Sequence, residues 1–262
     1  MHTFVVLAYK ESIYLEECIK SVLNQKNKSK VVIATSTPND YIKKIANKYH
    51  LDVIVNPNPG KGIGYDFDFA ISCGNTELVT VAHQDDIYDC EYSSEVIKYY
   101  KKNKKSLIVF SDYYEIRDTG ITHSNINLKI KRILLLPLKN KWLSSKKIGK
   151  RLALCFGCSI CCPAVTFVKN NINDDDVFKC NFVCDIDWYA WEKLSKKHGK
   201  FTYISKRLMG HRIHEESTTT EIISERIRTK EDLIMYKKFW PDFIANILNK
   251  LYVKSEASNS KG

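Results

Sequence analysis

Short apolar segments alternate with amphipathic ones through the first third of the chain, and this alternation constrains the fold more than any other feature. Helices are predicted after Ser12, from about Pro38 to Tyr49, and around residues 65–73. Apolar runs of strand length separate them, at residues 4–8, 30–35, 51–55 and 77–82. Strands that alternate with helices in this way predict an α/β fold, with a Rossmann-like, mostly parallel central sheet flanked by helices.

The composition is that of an ordinary globular protein. With 262 residues, of which 44% are hydrophobic, the chain can bury a full core. Neither a signal-peptide pattern nor an apolar run of about 18 residues occurs, so we expect a cytoplasmic protein. Nine cysteines, an odd number without a secretory signal, indicate reduced thiols rather than a disulfide framework.

Much of the net charge of +11 comes from one stretch, residues 119–173, which we call the basic segment. It contains no Asp or Glu but ten lysines and arginines, and apolar residues alternate with these in IKRILLLPLKNKWL, residues 130–143. This pattern predicts a surface that meets phosphate groups beside apolar chains, either in a lipid acceptor or on the inner, anionic face of a membrane. A Lys-rich surface with a buried Leu stretch is the alternative. The aromatic residues form no recurring stacking platform, so we expect no nucleic acid partner.

Two adjacent carboxylates follow the fourth predicted strand, in the sequence VAHQDDIYD. His83, Gln84, Asp85 and Asp86 lie just past the carboxyl end of that strand, where open α/β sheets bind their ligands. Neighbouring carboxylates repel each other, and a hard divalent cation such as Mg²⁺ or Mn²⁺ relieves that repulsion. A surface turn in which Asp86 caps a helix that begins near Cys90 is the alternative.

Five segments in a fixed order resemble the family 2 glycosyltransferases, which have the GT-A fold. They are VVLAYKESIYLEECIKSVLNQ (5–25), GKGIG (60–64), HQDD (83–86), CDIDWYAWEKLSKKHG (184–199) and HRIHEESTT (211–219). The resemblance implies a GT-A domain over residues 1–220, with a donor half of about 1–115 and an acceptor half of about 116–220. Residues 221–262 would form a C-terminal helical extension and polar tail.

The resemblance implies an inverting transfer of a sugar from a nucleoside-diphosphate sugar to a hydroxyl acceptor. The expected role is synthesis of a cell-surface polysaccharide, oligosaccharide or glycolipid, with a UDP-sugar as donor and a saccharide or lipid-linked saccharide as acceptor. The matching nucleotide-pocket residues are Ala8, Tyr9, Glu11, Ser36, Gly62 and Gly64. Thr35, Ser36 and Thr37 stand where the family usually carries an acidic pair that reads the base. Asp66, Phe67 and Asp68 replace its common Ala-Arg-Asn, and Lys10 stands where Asn is common.

The same resemblance implies a metal-assisted diphosphate site. Asp85 matches the metal ligand of the family's Asp-x-Asp motif, and Asp86 would bind the ion through water. His83 replaces the first acid of that motif and would hydrogen-bond ribose or phosphate. His214 would complete the metal shell or contact the diphosphate, and Arg212 would clamp a phosphate oxygen.

Asp185 matches the family's catalytic base. An inverting displacement needs a carboxylate that takes the proton from the attacking hydroxyl. The spacing of the residues that follow predicts that Asp185 begins a helix, whose positive end would favour the ionised carboxylate. Asp187 is the second choice, because it would face elsewhere on that helix. The alternative role for Asp185 is a helix N-cap.

Two other functions and one packing question stay open. A GT-A relative could bind a nucleotide sugar without transferring it. The run CFGCSICCP, residues 155–163, partly resembles an iron-sulfur ligand pattern, although its cysteines also suit a buried apolar role.

The stretch from about Glu221 to Val253 is predicted to be helical with a break at Pro241, and it suits packing either on the domain or on a membrane.

Overall fold

A computed structural model of the chain describes residues 1–172, 176–213 and 222–259. Within these ranges the strands are β1 (His2–Ala8), β2 (Lys30–Thr35), β3 (Val53–Val55), β4 (Leu78–His83), β5 (Ile87–Tyr88), β6 (Ser106–Arg117), β7 (Gly120–Thr122), β8 (Val165–Val168) and β9 (Lys200–Arg212). The α-helices are α1 (Leu15–Leu23), α2 (Asp40–Tyr49), α3 (Ile63–Cys73), α4 (Tyr92–Lys102), α5 (Ile126–Leu134), α6 (Leu136–Lys139), α7 (Lys147–Leu152), α8 (Lys169–Ile172), α9 (Ile186–Ser195), α10 (Ile222–Lys237) and α11 (Asp242–Asn259).

All nine of these strands belong to one sheet. Its order is β3-β2-β1-β4-β8-β6-β9-β5, and β7 pairs with β6 outside that path. The first four strands of the chain pair in parallel, as the alternating pattern predicts, but β8 is antiparallel to both of its neighbours, β4 and β6. The α/β prediction is therefore confirmed, and the sheet is mixed rather than purely parallel.

Local capping places the helix boundaries close to those predicted. The second helix begins at Asp40, two residues after Pro38, because the Asn39 side chain accepts a hydrogen bond of 2.8 Å from the amide of Ile42. It ends at Tyr49, because the next residue, His50, has a left-handed backbone conformation that terminates the helical hydrogen bonds. These two signals account for the exact length of the helix between β2 and β3.

The sheet separates two hydrophobic cores. Along β1, Val5 belongs to one core while Phe4 and Val6 belong to the other, because successive side chains of a strand point to opposite faces. The core that contains Val5 also includes Tyr236 of α10 and Ala245 of α11, both buried. The C-terminal helices therefore pack on the domain.

No helix within the described part of the chain is both long and apolar enough to cross a bilayer.

Candidate active site

The turn after β4 is fastened to the loop after β1. Because β1 and β4 are parallel neighbours, both loops lie at the same edge of the sheet. The Gln84 side chain accepts a hydrogen bond from the Tyr9 amide (2.9 Å) and donates one to the Tyr9 carbonyl (3.0 Å). The Ser12 hydroxyl donates to Oδ1 of Asp85 at 2.8 Å. The edge predicted to bind the ligand therefore brings these two loops together.

Asp86 joins this turn to strand β9. Its carboxylate is only 1% exposed, and Oδ1 accepts hydrogen bonds from the Arg212 amide (2.8 Å) and from Nδ1 of His211 (3.1 Å). Burial lowers the pKa of His211, but the charge of Asp86 and its hydrogen bond outweigh burial and raise that pKa overall. The helix-capping alternative for Asp86 is wrong, since α4 begins only at Tyr92.

The Arg212 side chain lies beside Asp85. Its Nε donates to the Asp85 carbonyl at 2.9 Å, and a terminal nitrogen donates to Glu17 at 2.7 Å. The guanidinium also covers the ring of Tyr14, 4.2 Å from the ring centroid. Arg212 thus ties α1 and β9 to the acidic turn, and its contact with a phosphate stays a prediction.

His83 presents a neutral imidazole in the same region. Its ring stacks on Phe67, with centroids 5.0 Å apart and planes at 21°. Burial lowers the pKa of His83, so the ring stays uncharged. Its Nε2 is buried and has no hydrogen-bond partner among the described residues. A buried polar atom without a partner is costly, and a ligand that bonds Nε2 would remove that cost.

A carboxylate from α3 lies between the ends of β2 and β3. Ser36 donates a hydrogen bond of 3.0 Å to one oxygen of Asp66, and the Asn56 side chain donates one of 2.8 Å to the other. The sequence pattern shows no acid after β2, but the fold supplies one from a different element. No local pattern reveals this, because Asp66 is 30 residues from Ser36.

The remaining pocket residues predicted from the sequence lie around the same edge. Ala8 is buried at the end of β1, while Tyr9 and Glu11 are exposed in the loop that follows. Gly62 has φ +106° just before α3, a conformation that favours glycine. At Gly64 a Cβ atom would lie 2.5 Å from the carbonyl oxygen of Phe178, so glycine permits a close backbone approach there.

These contacts bring the start of α9 to the acidic turn. Phe67, which stacks on His83, also meets the ring of Phe178 edge-on at 5.0 Å. The Cβ position at Gly64 lies 3.4 Å from Cγ2 of Ile186, the first residue of α9. The acidic turn and the residue that precedes α9, Asp185, are therefore linked through α3.

Asp185 is a buried carboxyl group that does not cap its helix. It occupies the N-cap position of α9, yet its side chain makes no capping hydrogen bond, so the N-cap alternative is wrong. The residue is 5% exposed, and its Oδ2 has no hydrogen-bond partner among the described residues. Within the described residues, Oδ2 of Asp185 is therefore a buried polar atom that a bound ligand could satisfy.

The environment of Asp185 favours the protonated form. Burial, followed by the charges of Asp232 and Asp187 and a hydrogen bond with Asp232, raises the pKa of Asp185 to about 9, against an opposing effect of Arg228. The expectation that the end of the helix would keep this group ionised is therefore wrong. A helix dipole contributes less than the loss of water and the repulsion of neighbouring carboxylates.

Asp187 and the cysteine run have internal roles. The Cys158 thiol donates to Oδ2 of Asp187 at 3.3 Å, and the amide of Trp188 donates to Oδ1 at 2.7 Å. Burial raises the pKa of the thiols of Cys158, Cys161 and Cys162, and the described residues contain no group of three or more His, Cys, Asp or Glu that could hold a metal ion. All nine cysteines are reduced. These observations disfavour the metal-cluster function.

Comparison with known proteins identifies the family. Residues 3–176 match the model of glycosyl transferase family 2. The chain belongs to this family. A search of the curated proteins found no match to the sequence.

Solved structures support the fold of this family 2 glycosyltransferase. The crystal structure of residues 1–349 of S. aureus TarS is 14% identical, with a TM-score of 0.65 over 95% of this chain and 69% of that one. Its complex with UDP-GlcNAc is 14% identical, with a TM-score of 0.66 over 95% and 70% of the two chains. Its complex with UDP is 13% identical, with a TM-score of 0.61 over 95% and 69%. At these identities the comparison establishes the fold alone.

The carboxylate oxygens in the acidic turn of this glycosyltransferase fit a metal ion whose coordination shell is completed by the substrate. No group of three or more His, Cys, Asp or Glu residues in the described ranges could bind a metal by itself. Asp85 and the buried Oδ2 of Asp86, which has no partner among the described residues, are hard oxygen donors. Mg²⁺ and Mn²⁺ commonly use one or two carboxylates and complete the shell with water and phosphates. His214, the other predicted ligand, lies outside the described residues.

Proposed function

We propose that this chain transfers a sugar, with inversion, from a UDP-sugar to a hydroxyl acceptor, with Asp185 as the base. Membership of family 2 supports glycosyl transfer, and the TarS structures that contain UDP-GlcNAc and UDP support a UDP-sugar donor. The observation that carries the proposal is the buried Asp185 carboxyl group, whose Oδ2 has no partner among the described residues. It lies at the start of α9, which α3 links to the acidic turn.

In the proposed reaction Asp185 acts on the acceptor hydroxyl, while His83 and Arg212 act on the donor phosphates. The acceptor oxygen forms a bond to the anomeric carbon while its proton passes to Asp185, and the bond to UDP breaks with its electron pair on the diphosphate. Only the ionised form of Asp185 can take this proton, so its raised pKa predicts a rate that increases with pH toward about 9. The neutral His83 ring and Arg212 would hold the donor phosphates.

The divalent ion would be held by Asp85, with Asp86 in support. When bound, such an ion neutralises charge on the departing diphosphate.

A thermal-shift panel tests the donor. We expect UDP and UDP-GlcNAc with Mn²⁺ to raise the melting temperature more than the corresponding ADP, GDP and CDP ligands do, because a ligand that binds only the folded state stabilises it. Failure of every nucleotide to shift the melting temperature would contradict a nucleotide-sugar site.

A second measurement separates the enzyme from its alternative, a relative that binds a nucleotide sugar without transferring it. UDP formed from UDP-GlcNAc, with water as acceptor, is expected from the enzyme and not from the binding protein. The anomer of the sugar first released, read by NMR, should be opposite to that of the donor if the transfer inverts. Release with retained configuration would rule out a single displacement with Asp185 as base.

We further propose that the basic segment and α11 rest on an anionic membrane, where a lipid-linked or glycolipid acceptor would be presented. Twelve large apolar side chains on these elements are each between 44% and 68% exposed: Ile121, Ile126, Ile130, Ile133, Leu136, Trp142, Ile148, Leu152, Phe156, Phe243, Ile247 and Leu251. On α5 and on α11 they recur at helical spacing along the outward face. Exposed apolar stripes bordered by lysines suit the boundary between lipid headgroups and acyl chains.

A groove connects the two parts of this surface. Its volume is about 400 Å³, and it is lined by Lys147, Ile148, Arg151, Leu152, Cys155, Phe239 and Trp240. These residues come from α7 and the residues after it, and from the turn between α10 and α11, so the basic segment and the C-terminal helices border one cavity. The exposed Lys147 at this groove complements the phosphates of anionic lipids, while Arg151 is paired with Glu192.

Vesicle binding tests this surface. We expect the protein to sediment with vesicles of phosphatidylcholine and phosphatidylglycerol but not with phosphatidylcholine alone, and 0.5 M salt should weaken the binding. The double variant Ile148→Ser and Leu152→Ser should bind about tenfold more weakly, because it removes two apolar side chains from the membrane face. Val55→Ser, an exposed position on the edge strand β3, is the matched control. Equal binding to both kinds of vesicle, or to neither, would contradict the proposal.

A further inference from the structure

The segment before α9 is held by a carboxylate from another helix. Glu231 of α10 is 6% exposed, and its two oxygens accept hydrogen bonds from three consecutive amides: those of Val183 (2.7 Å), Cys184 (2.7 Å) and Asp185 (3.0 Å). Hydrogen bonds to a charged acceptor are stronger than those between neutral groups. A single side chain therefore fixes the backbone that carries the proposed base.

This arrangement leaves the Asp185 side chain available. An Asp at an N-cap position ordinarily spends its carboxylate on the amides of its own helix. Here Glu231 holds the Asp185 backbone through its amide, and the Asp185 side chain makes no capping bond to α9. The negative charge of Glu231, which lies at the N-terminus of α9, also interacts favourably with the positive end of that helix dipole.

The next residue of α10 meets the base itself. Asp232 is 2% exposed, and its charge and hydrogen bonding raise the pKa of Asp185. Among the described residues, the charged groups around Asp185 are Asp232, Glu231 and Arg228 on α10 and Asp187 on its own helix, and the thiols of Cys158 and Cys184 also lie near it. Two buried carboxyl groups close together cannot both ionise easily, so the charge of one holds the proton on the other. One face of α10 therefore controls both the backbone position and the proton of Asp185.

We propose that Glu231 and Asp232 are positioning residues for the glycosyl transfer: Glu231 aims the Asp185 carboxylate, and Asp232 governs when it gives up its proton. The inference rests on the proposed role of Asp185 as base. It makes α10, which lies in the predicted C-terminal extension, a part of the active site.

Glu231→Gln tests the aiming role. A glutamine keeps the shape but replaces one acceptor oxygen with an NH₂ group that faces amide donors. With UDP-GlcNAc as the probe, we expect kcat for UDP release to fall about 10- to 100-fold, while KM changes less than threefold. Hydrogen exchange at the amides of residues 183–185 should become faster. Lys230→Gln, at an exposed position on the same helix, is the matched control and should leave both readouts unchanged.

Asp232→Asn tests the control of the proton. Removing the neighbouring charge lowers the pKa of Asp185, so we expect the pH at which kcat is half-maximal to move down by roughly one unit. A purely structural residue would change kcat without moving this midpoint. An unchanged pH profile in Asp232→Asn, or an unchanged kcat in a folded Glu231→Gln protein with faster exchange, would overturn the inference.

Asp185→Asn is measured in parallel with Glu231→Gln and Asp232→Asn. It distinguishes a failure of the positioning role from a failure of the proposed function. If Asp185→Asn retains wild-type UDP release, the proposed base is wrong whatever the α10 variants do. If Asp185→Asn loses activity while Glu231→Gln and Asp232→Asn behave as wild type, the positioning role alone fails. Should Glu231→Gln not fold, the pH profile of Asp232→Asn still decides, because that variant keeps all three bonds between Glu231 and the backbone.

Discussion

Asp185→Asn is expected to lose sugar transfer and, at neutral pH, to become more stable than the wild-type protein. Loss of the base should lower kcat by about 10²- to 10⁴-fold, because an amide cannot accept the proton of the acceptor hydroxyl. Donor binding should persist, since this side chain does not hold the nucleotide in the proposed site. UDP release from UDP-GlcNAc measures the first effect, and a UDP thermal shift measures the second.

The gain in stability follows from the raised pKa of Asp185. The folded protein keeps a proton on Asp185 up to about pH 9, whereas the unfolded chain releases it near its ordinary pKa of 3.8. The unfolded state therefore binds fewer protons across this range, so the wild-type free energy of unfolding falls as pH rises from about 4 to about 9. A neutral Asn of similar shape avoids this cost, and we expect a gain of about 1–3 kcal/mol at pH 8 that shrinks toward pH 4.

Urea unfolding at pH 4, 6 and 8 checks the stability prediction. Asp118→Asn, at an exposed position, is the matched control and should show little change at any pH. An Asp185→Asn protein with the same stability as wild type at every pH would mean that the native carboxyl group is ionised. Retained transfer would exclude Asp185 as the base.

Asp85→Asn is expected to remove the Mn²⁺-dependent part of nucleotide binding. In the proposed site, the Asp85 carboxylate connects the protein to the ion, and an amide is a much poorer ligand for a hard divalent cation. At UDP concentrations about 100-fold above Kd, the wild-type protein should gain about 2.7 kcal/mol of stability with Mn²⁺. The variant should show only the smaller shift that UDP produces without metal.

The comparison uses UDP with Mn²⁺ against UDP with EDTA in thermal unfolding. Asp185→Asn serves as a folded variant that should keep the full metal-dependent shift, and Asp118→Asn as a surface control. If Asp85→Asn retains the same difference between Mn²⁺ and EDTA as wild type, Asp85 is not the metal ligand. A loss of stability without any ligand would show instead that the bond between Asp85 and Ser12 supports the loop.

Sequence patterns anticipated the parts of the fold that depend on neighbours along the chain. The apolar strands and amphipathic helices of the first 83 residues lie close to where they were predicted, because burial of one helix face or of a whole strand imposes its own spacing. The position of HQDD at the sheet edge followed from the same pattern. Once consecutive strands run in parallel, their carboxyl ends must meet.

Distant parts of the chain decided the rest. The insertion of β8 between β4 and β6 makes the sheet mixed, and Asp66 provides a carboxylate beside β2 from a different helix. Neither feature has a local signature, because pairing partners and hydrogen-bond partners far apart in sequence leave no periodic trace.

The chemistry of Asp185 shows the same division. The sequence by itself determined the α/β fold, the acidic turn and the aspartate that begins α9, since each depends on local spacing or on a family motif. Only the tertiary structure decided that Asp185 is buried, that Asp232 raises its pKa and that Glu231 holds its backbone. A pKa depends on the water excluded and the charges nearby, and here the largest charge effect comes from Asp232 of α10, more than 40 residues along the chain.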